Sequence, residues 1–126
     1  MFTVTGMDHI VLNVRDMETV LDFYINILGL SGERLDEYQQ GKVSFPSVRI
    51  NQDTLIDLFP MPEGEDPATP AGAFDLNHFC LVIDKTEMAG VIAHLQRHGV
   101  PILQGPVTRW GAHGNGTSIY VQDPEK

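Results

Sequence analysis

Residues 7–16 read MDHIVLNVRD, and this stretch indicates the architecture because a related one occurs a second time. Residues 76–85 read LNHFCLVIDK, which places His78 at 69 positions after His9. Both stretches are short, apolar and rich in β-branched side chains, which is typical of strands. The recurrence predicts two copies of one structural unit within a chain of 126 residues.

An amphipathic helix is predicted after each of these strands. Apolar side chains recur at three- and four-residue steps over residues 20–28, and Gly29 ends the pattern. The same spacing recurs over residues 88–95, and Gly99 ends it. A glycine just past the last turn is a common helix C-terminus, so both helices are expected to stop there.

Further strands are expected after each helix. They are predicted at residues 33–38, about 42–45 and 54–59 in the first half, and at 100–103 and 117–122 in the second half. Each half therefore has the order β-α-β-β-β, and we expect a single α+β domain over residues 1–126. Its modules are expected at about 5–60 and 75–126, packed into an open, curved mixed sheet that forms a cleft with the helices outside.

The segment between the halves, at about residues 60–74, is rich in proline and glycine and is predicted to be a linker. The repeat also predicts that the second half lacks its last strand. Asp53 precedes the strand at 54–59, whereas only three residues follow the equivalent Asp123. The last strand of module 2 is therefore expected to be absent from residues 75–126.

The charge balance narrows the classes of partner. The chain has 8 Lys and Arg against 17 Asp and Glu, a formal net charge of -9. A nucleic-acid backbone or an anionic membrane surface would be repelled, so we expect no nucleic acid or membrane partner. A hydrophobic fraction of 42% fits an ordinary globular domain, and the expected partner is a small-molecule substrate.

Cysteine usage and hydropathy predict a cytoplasmic protein. Cys80 is the single cysteine, so an intrachain disulfide and a cysteine-only zinc site are excluded. No apolar run approaches the length of a membrane span, and the first residues do not resemble a signal peptide.

His9 and His78 occupy equivalent positions on equivalent strands. If a pseudo-twofold axis relates the halves, both imidazoles can face one crevice, where they and a carboxylate would suit a divalent first-row metal. Asp57 supplies a carboxylate within an apolar strand and has two open interpretations, a metal ligand or a solvent-facing residue. A lone histidine bonded to the backbone is the alternative for either imidazole.

A glycine-rich segment at residues 109–116 is interpreted as a loop that contacts substrate or as an ordinary exposed connection. Arg109 is a candidate for holding an anionic group, and His113 for a general acid or base. Tyr120 in the following strand is a candidate hydrogen-bond donor to substrate, or it simply packs.

Two other features are assigned to structure and not to function. His94 and His98 lie four residues apart, a spacing that can bind zinc, but a solvated helix face is favoured. Cys80 is expected to be a small buried side chain and not a reactive thiol.

The pattern resembles the vicinal oxygen chelate superfamily, which includes glyoxalases, extradiol dioxygenases, and fosfomycin- and bleomycin-resistance proteins. Three segments carry the likeness: DHIVLNVRD at residues 8–16, FY with LGL at 23–24 and 28–30, and GNGTSIYVQDP at 114–124. GPVTR with GA, at residues 105–109 and 111–112, is similar to the small glyoxalase-like members described as virulence-associated or glyoxalase-domain proteins.

The resemblance implies paired βαβββ modules around a divalent metal, which could be Zn, Ni, Mn or Fe(II). Its metal positions, on the first and last strand of each module, map onto His9, Asp57 and His78. A fourth ligand, usually a glutamate, would fall past Lys126. Asp57 takes the place of the usual glyoxalase glutamate, so it could be a ligand, a catalytic base or a bystander.

The resemblance also implies a metal-dependent glyoxalase-like enzyme, of lyase or isomerase type, that binds neighbouring oxygens of a small substrate. His9, His78 and Asp57 would hold the metal. Asp57 and His113 would be the catalytic groups, and Arg109 and Tyr120 would contact substrate. An extradiol-type dioxygenase or fosfomycin-type resistance enzyme is one alternative, and a metal-free protein that binds a drug or metabolite is another. Relatives commonly pair, so a homodimer is expected.

Overall fold

A computed structural model describes residues 1–61 and 76–122. The elements in chain order are β1 (Val4–Val14), α1 (Met17–Leu21) with a π-helical segment (Asp22–Ile27), β2 (Ser31–Glu33), α2 (Leu35–Gln39), β3 (Ser47–Asn51), β4 (Thr54–Pro60), β5 (Leu76–Ile83), α3 (Met88–Arg97), β6 (Gln104–Gly111) and β7 (Gly114–Tyr120). The predicted linker at about 60–74 lies largely outside the described residues, as does the region around Asp123.

Seven strands form two sheets in the described parts of the chain. The larger sheet has the order β2-β3-β4-β1-β5, and β6 and β7 form a two-stranded sheet of their own. β1 and β4 are parallel, whereas all other pairs are antiparallel. The predicted α+β class and mixed sheet are confirmed.

One face of the five-stranded sheet carries the apolar core. Alternate residues of β4, Ile56 and Leu58, pack with Val14 of β1 and Val48 of β3. Partly buried side chains cover this cluster, from β1, from the first helical region and from the loop that follows it. They are Ile10, Leu12, Met17, Val20, Leu21, Tyr24, Ile25 and Leu30. Removing this apolar surface from water is the main stabilising term for the sheet.

The opposite face of the same strands carries polar side chains. Successive residues of a strand point to opposite faces of the sheet, so Asp57 lies on the face opposite Ile56 and Leu58. In the ladder, Val11 of β1 pairs with Asp57 on one side and with His78 on the other. The register therefore brings Asp57 and His78 to the two flanks of β1, next to His9.

The helix boundaries follow the sequence signals. Asp16 caps α1 by accepting a hydrogen bond from the Thr19 amide, and hydrogen bonds from Thr19 lower the pKa of Asp16. Gly29 and Gly99 have φ angles of 80° and 76°, a left-handed conformation that favours glycine. Both predicted helix stops are confirmed.

The strand predicted at 33–38 is wrong. β2 ends at Glu33, and residues Leu35–Gln39 form α2. This segment contains good helix formers, with Asp36 and Glu37 in the first turn, where negative charge favours a helix N-terminus.

The strand predicted at about 42–45 is also wrong, because the next strand, β3, begins at Ser47. Pro46 has no amide hydrogen for a ladder, and it directly precedes β3. The strand predicted at 54–59 is confirmed as β4.

The chain from residue 100 onwards also departs from the prediction. Residues 100–103 are not a strand, and residues 109–116, predicted as a loop, belong to a β-hairpin with its turn at Ala112 and His113. β6 includes Gly105 and Pro106, which are unfavourable in a central strand. β6 tolerates them because it has a single partner among the described residues and its register shifts between Gln104 and Val107.

No helix within residues 1–61 and 76–122 is long and apolar enough to cross a membrane.

Candidate functional site

Two imidazoles meet at the centre of the polar face of the sheet. The ring centroids of His9 and His78 lie 5.7 Å apart, with the planes at 79°. His9 is 6% exposed, and His78 is partly buried. The two equivalent histidines of the repeat thus face one another across the β1–β5 ladder.

A neighbouring oxygen anchors the Nδ1 atom of each imidazole. His9 Nδ1 lies 2.6 Å from Asp8 Oδ2, and His78 Nδ1 lies 2.7 Å from Asn77 Oδ1. A carboxylate or amide oxygen only accepts, so each Nδ1 carries the hydrogen and donates it. Nε2 of each ring is then left with a lone pair, which is the form of histidine that binds metals.

Asp57 is the third member of the site. It is 2% exposed, so the solvent-facing interpretation is wrong. Its Oδ1 accepts a hydrogen bond from Ser47 Oγ at 2.5 Å, and its Oδ2 lies 3.8 Å from His9 Nε2. Burial raises the pKa of Asp57, while the Ser47 hydrogen bond, His9 and Arg34 act in the opposite direction.

His9 and Asp57 are close enough to share a divalent cation. Two ligand atoms that each lie about 2.1 Å from one ion are at most about 4.2 Å apart, so 3.8 Å between Asp57 Oδ2 and His9 Nε2 leaves room for a shared ion. Burial, together with His9, lowers the pKa of His78 and keeps its ring neutral. Neutral imidazoles with one carboxylate suit first-row divalent metals.

A second set of donors shares His9. Single ligand atoms of Asp8, His9 and Cys80 lie within 4.8 Å of one another. The Asp8 carboxylate, however, already accepts hydrogen bonds from His9 and from the Ala112 amide. Burial and the charges of Asp8 and Asp57 raise the pKa of Cys80 to about 11, which disfavours the thiolate that a metal requires. Asp8 and Cys80 are therefore weaker candidates for metal ligands than a neutral imidazole.

The β6–β7 hairpin is fastened to the polar face of the sheet at its turn. Ala112 donates its amide to Asp8 Oδ2 at 2.9 Å, and the Ala112 carbonyl accepts from Arg49 Nη2 at 3.1 Å. Arg49 also forms an ion pair with Glu33, with Nε 2.7 Å from Oε1. These contacts hold the hairpin against the sheet.

Aromatic rings lie beside the imidazoles. Tyr120 of β7 lies 5.6 Å from the His78 ring, and Phe59 of β4 lies 6.1 Å from it. Phe45 packs on Phe59 at 4.6 Å and lies 6.4 Å from Trp110 of β6. The site therefore combines polar side chains with an aromatic wall of Phe45, Phe59, Trp110 and Tyr120, as small-molecule sites do.

Of the other predicted site residues, one lies next to the imidazoles and two are exposed on the hairpin. Tyr120 lies next to His78. Arg109 is exposed; it donates to the Thr108 carbonyl, and its guanidinium lies 5.8 Å from the Tyr120 ring. His113 is exposed at the hairpin turn, where Nε2 lies 3.0 Å from Asp53 Oδ1.

Sequence reasoning missed two residues that contact the candidate site or its aromatic rings. Asp8 was part of the diagnostic stretch but had no assigned role, although it contacts both His9 and the hairpin. Arg34 lay in a predicted strand, but its guanidinium lies between Phe45 and Trp110. The signal available for Asp8 was its adjacency to a candidate ligand, whereas nothing in the sequence brought Arg34 to Trp110.

Two features lie apart from the imidazole pair. The ring centroids of His94 on α3 and of His98, its C-cap, lie 4.7 Å apart with the planes tilted at 53°, and the Phe2 ring lies 5.6 Å from that of His94. A groove between β1 and the first helical region contains none of the predicted site residues. Its lining residues are Leu12, Asn13, Val14, Arg15, Asp16, Thr19, Val20, Phe23 and Tyr24.

Known proteins resemble this chain in sequence. The chain is 36% identical over 125 residues to "Glyoxalase domain-containing protein RDO1" of Mycosarcoma maydis, covering 98% of this chain and 65% of that protein. It is 34% identical over 122 residues to "Virulence protein STM3117" of Salmonella typhimurium, covering 97% of this chain and 79% of that protein. The chain thus spans less than two thirds of the fungal relative.

A solved structure supports the fold. The hypothetical protein BH1468 from Bacillus halodurans C-125 has a TM-score of 0.53 and 23% identity, over 90% of this chain and 83% of that chain. Residues 6–126 match the Glyoxalase/Bleomycin resistance protein/Dioxygenase superfamily. With the sequence match spanning almost all of the chain, the protein belongs to this superfamily.

Proposed function

We propose that the protein is a metal-dependent glyoxalase-like enzyme that binds a small oxygenated substrate through neighbouring oxygens. The observation that carries this proposal is the pair His9 and His78, each with Nδ1 hydrogen-bonded to an adjacent oxygen and Nε2 left to coordinate. Asp57 supplies a carboxylate beside them. The proposed metal ligands are therefore His9, His78 and Asp57.

A divalent cation held there would supply Lewis-acid stabilisation of negative charge on substrate oxygens. The chain itself orients the ligands, because Asp8 and Asn77 fix the two rings and Ser47 fixes Asp57. The aromatic wall excludes water from one side of the substrate. Asp57 Oδ2, which has no hydrogen bond to Ser47, is the atom that could accept a proton.

Metal binding is the first test. Equilibrium dialysis against Ni²⁺, Zn²⁺, Mn²⁺ or Fe²⁺ is expected to load about one ion per chain in at least one case. His9→Ala and His78→Ala should each reduce affinity at least about tenfold. Full affinity in both variants would contradict the proposed site.

The control addresses the second pair of histidines. His94 and His98, at i and i+4, could bind transition metals weakly. The dialysis is therefore repeated with a His94→Gln, His98→Gln double variant, which should keep the tight site. Loss of metal from this variant would assign the binding to α3.

Asp57→Asn separates the two roles of this carboxylate. If Asp57 is a ligand, metal affinity falls; if it is the catalytic base, affinity is kept and turnover of a hemithioacetal is lost. Absence of turnover in the metal-loaded protein with every metal named above would contradict a glyoxalase-type lyase or isomerase.

A dioxygenase is the second candidate function. Two histidines and one carboxylate are the donor set of non-haem Fe(II) oxygenases, which the same side chains would provide. Oxygen consumption by the Fe(II)-loaded protein with a catechol would favour this reaction. A protein that takes up no metal, and whose His9→Ala and His78→Ala variants retain a ligand, would instead be a binding protein.

The remaining site residues have proposed substrate contacts. Tyr120 is proposed to donate its hydroxyl to substrate because its ring adjoins His78. Arg109 is proposed to contact an anionic group at the outer rim of the cleft, and His113 to act as an acid or base there. Tyr120→Phe should raise KM more than His113→Ala does, because His113 pairs with Asp53 at the surface.

A homodimer is proposed from the exposed apolar side chains of β5. Phe79 and Leu81 are 51% and 48% exposed on the edge strand of the five-stranded sheet. Light scattering should give twice the chain mass of 14.0 kDa, and Phe79→Asp should reduce it. Ile27→Asp, at an exposed position elsewhere, is the control. A monomeric wild type would contradict the dimer.

A further inference from the structure

Arg34 has an unusual backbone. Its φ and ψ angles are 60° and 29°, in the left-handed region, and it is the single non-glycine residue with positive φ among those the structure describes. An L-residue other than Asn, Asp or glycine rarely adopts this conformation. Such positions cluster at ligand sites, where the surrounding structure holds them in place.

The guanidinium of Arg34 contacts two aromatic rings and makes few hydrogen bonds. Its central carbon lies 3.9 Å from the Trp110 ring centroid and 4.5 Å from that of Phe45. Nη2 donates to the Phe45 carbonyl at 3.0 Å. Nε is buried and has no hydrogen-bond partner in the described parts of the chain. The guanidinium is therefore held in place while its Nε–H has no acceptor among the described residues.

Arg49 shows what a structural arginine looks like in this protein. It forms an ion pair with Glu33 and donates to the carbonyls of Asn51, Gln52 and Ala112. Arg34 forms no ion pair within residues 1–61 and 76–122. Arg34 is only partly buried, and its buried Nε–H, which has no acceptor among the described residues, is the feature that points to a ligand.

The aromatic wall connects Arg34 to the imidazole pair. Phe45, which contacts the guanidinium, packs on Phe59, and Phe59 contacts His78. Burial lowers the pKa of Arg34, whereas the carboxylates of Asp57, Glu37 and Glu33 raise it.

We propose that Arg34, framed by Phe45 and Trp110, binds the anionic end of the substrate, a carboxylate or phosphonate. This inference rests on the proposed function, because the oxygen-bearing end of the same molecule would reach His9 and His78. A guanidinium binds such groups through charge-assisted, often paired hydrogen bonds. The flanking rings would contact the apolar part of the molecule.

The sole tryptophan of the chain, Trp110, reports directly on this subsite. We would titrate benzoate and phenylphosphonate, with neutral benzamide as the matched control, and record tryptophan fluorescence with EDTA present. At least one of the two anions is expected to bind saturably and about tenfold more tightly than benzamide. Benzamide binding as tightly as both anions, or no saturable response to either, would overturn the proposal.

Variants identify the arginine. Arg34→Gln should weaken anion binding about tenfold, and Arg34→Lys should restore it in part, since lysine keeps the charge but not the planar fork. Arg97→Gln should leave anion binding within about twofold, because Arg97 is exposed on α3 and has no proposed role in the site. Unchanged binding in folded Arg34→Gln, or equal losses in the two glutamine variants, would contradict the assignment.

Two further outcomes separate this inference from the proposed function. If Arg34→Gln does not fold by circular dichroism, competition by inorganic phosphate for benzoate on the wild type decides, and absence of competition overturns the proposal. Because the titration is metal-free, anion binding without metal uptake in dialysis supports the Arg34 subsite and rejects the metal-dependent function. Metal uptake without anion binding would support the metal-dependent function and reject the Arg34 subsite.

Discussion

At the scale of one side chain, Asp8 connects the polar face of the sheet to the hairpin. Its Oδ2 accepts from His9 Nδ1 at 2.6 Å and from the Ala112 amide at 2.9 Å. A carboxylate on the far nitrogen of a metal-binding histidine fixes the ring orientation and raises its basicity. Asp8 therefore acts as a positioning residue for His9.

Asp8→Asn should lower the affinity for the divalent cation by about 10- to 100-fold, because the carboxylate that orients His9 is lost. Dialysis against the metal with the best wild-type affinity measures this. Asp36→Asn makes the same charge change at an exposed position of α2 and should have no effect. Equal affinities for wild type and Asp8→Asn would contradict the positioning role.

Cys80→Ser should leave metal affinity within about twofold, since the thiol has a pKa of about 11 and is outside the proposed ligand set. The same dialysis tests it. A large loss of affinity would instead assign the ion to Asp8, His9 and Cys80.

Single residues were predictable where one strand position determined them. The strand pattern placed Asp57 opposite Ile56 and Leu58, and the repeat placed His9 and His78 in corresponding positions. Asp8 was not predictable, because neighbours on an ideal strand point to opposite faces. The β1–β5 register shifts between Met7 and His9, at the position of Asp8.

The position of the hairpin depends on the close approach of Gly111 to Asp8. A Cβ at Gly111 would fall too close to the Asp8 carboxylate, whereas a Cβ at Gly116, also in the hairpin, would meet nothing within 4 Å. Asp8 could turn away from a larger side chain, but it would then lose its bonds to His9 and Ala112.

Gly111→Ala should destabilise the protein by about 1–3 kcal/mol, through overpacking or the loss of those two bonds. Urea unfolding measures this. Gly116→Ala is the matched control and should change stability by about 0.5 kcal/mol or less. Equal stabilities of the two variants would show that the Gly111–Asp8 contact does not matter.

Elements with a strong periodic pattern were predictable, and the short ones were not. The strand at 54–59 and both helix stops follow from alternation and from glycine. α2 has five residues, too few for a helical period to be distinguished from a strand. Residues 109–116 of the hairpin were read as a loop because their glycines resemble those of an irregular segment.

The whole molecule places its core on one face of a sheet and its candidate chemistry on the other. Residues that hold a cation would connect β1, β4 and β5, so binding should stabilise the native state and not the unfolded chain. Family and fold class could be predicted from the whole sequence. The division into modules at about 5–60 and 75–126 stays a prediction.

Adding the cation at a hundred times its Kd should stabilise the wild type by about 2.7 kcal/mol, because the ion binds only the folded chain. A rise in Tm measures this, and EDTA should reverse it. The His9→Ala, His78→Ala double variant should show no rise. An equal rise in that variant would place the binding elsewhere.

The most direct measurement is a crystal structure of the metal-soaked protein with anomalous diffraction at the absorption edge of the metal. One strong peak is expected about 2.1 Å from His9 Nε2 and His78 Nε2, next to Asp57 Oδ2. A main peak at Asp8 and Cys80, or at His94 and His98, with none between the two imidazoles, would contradict the metal centre proposed for this protein.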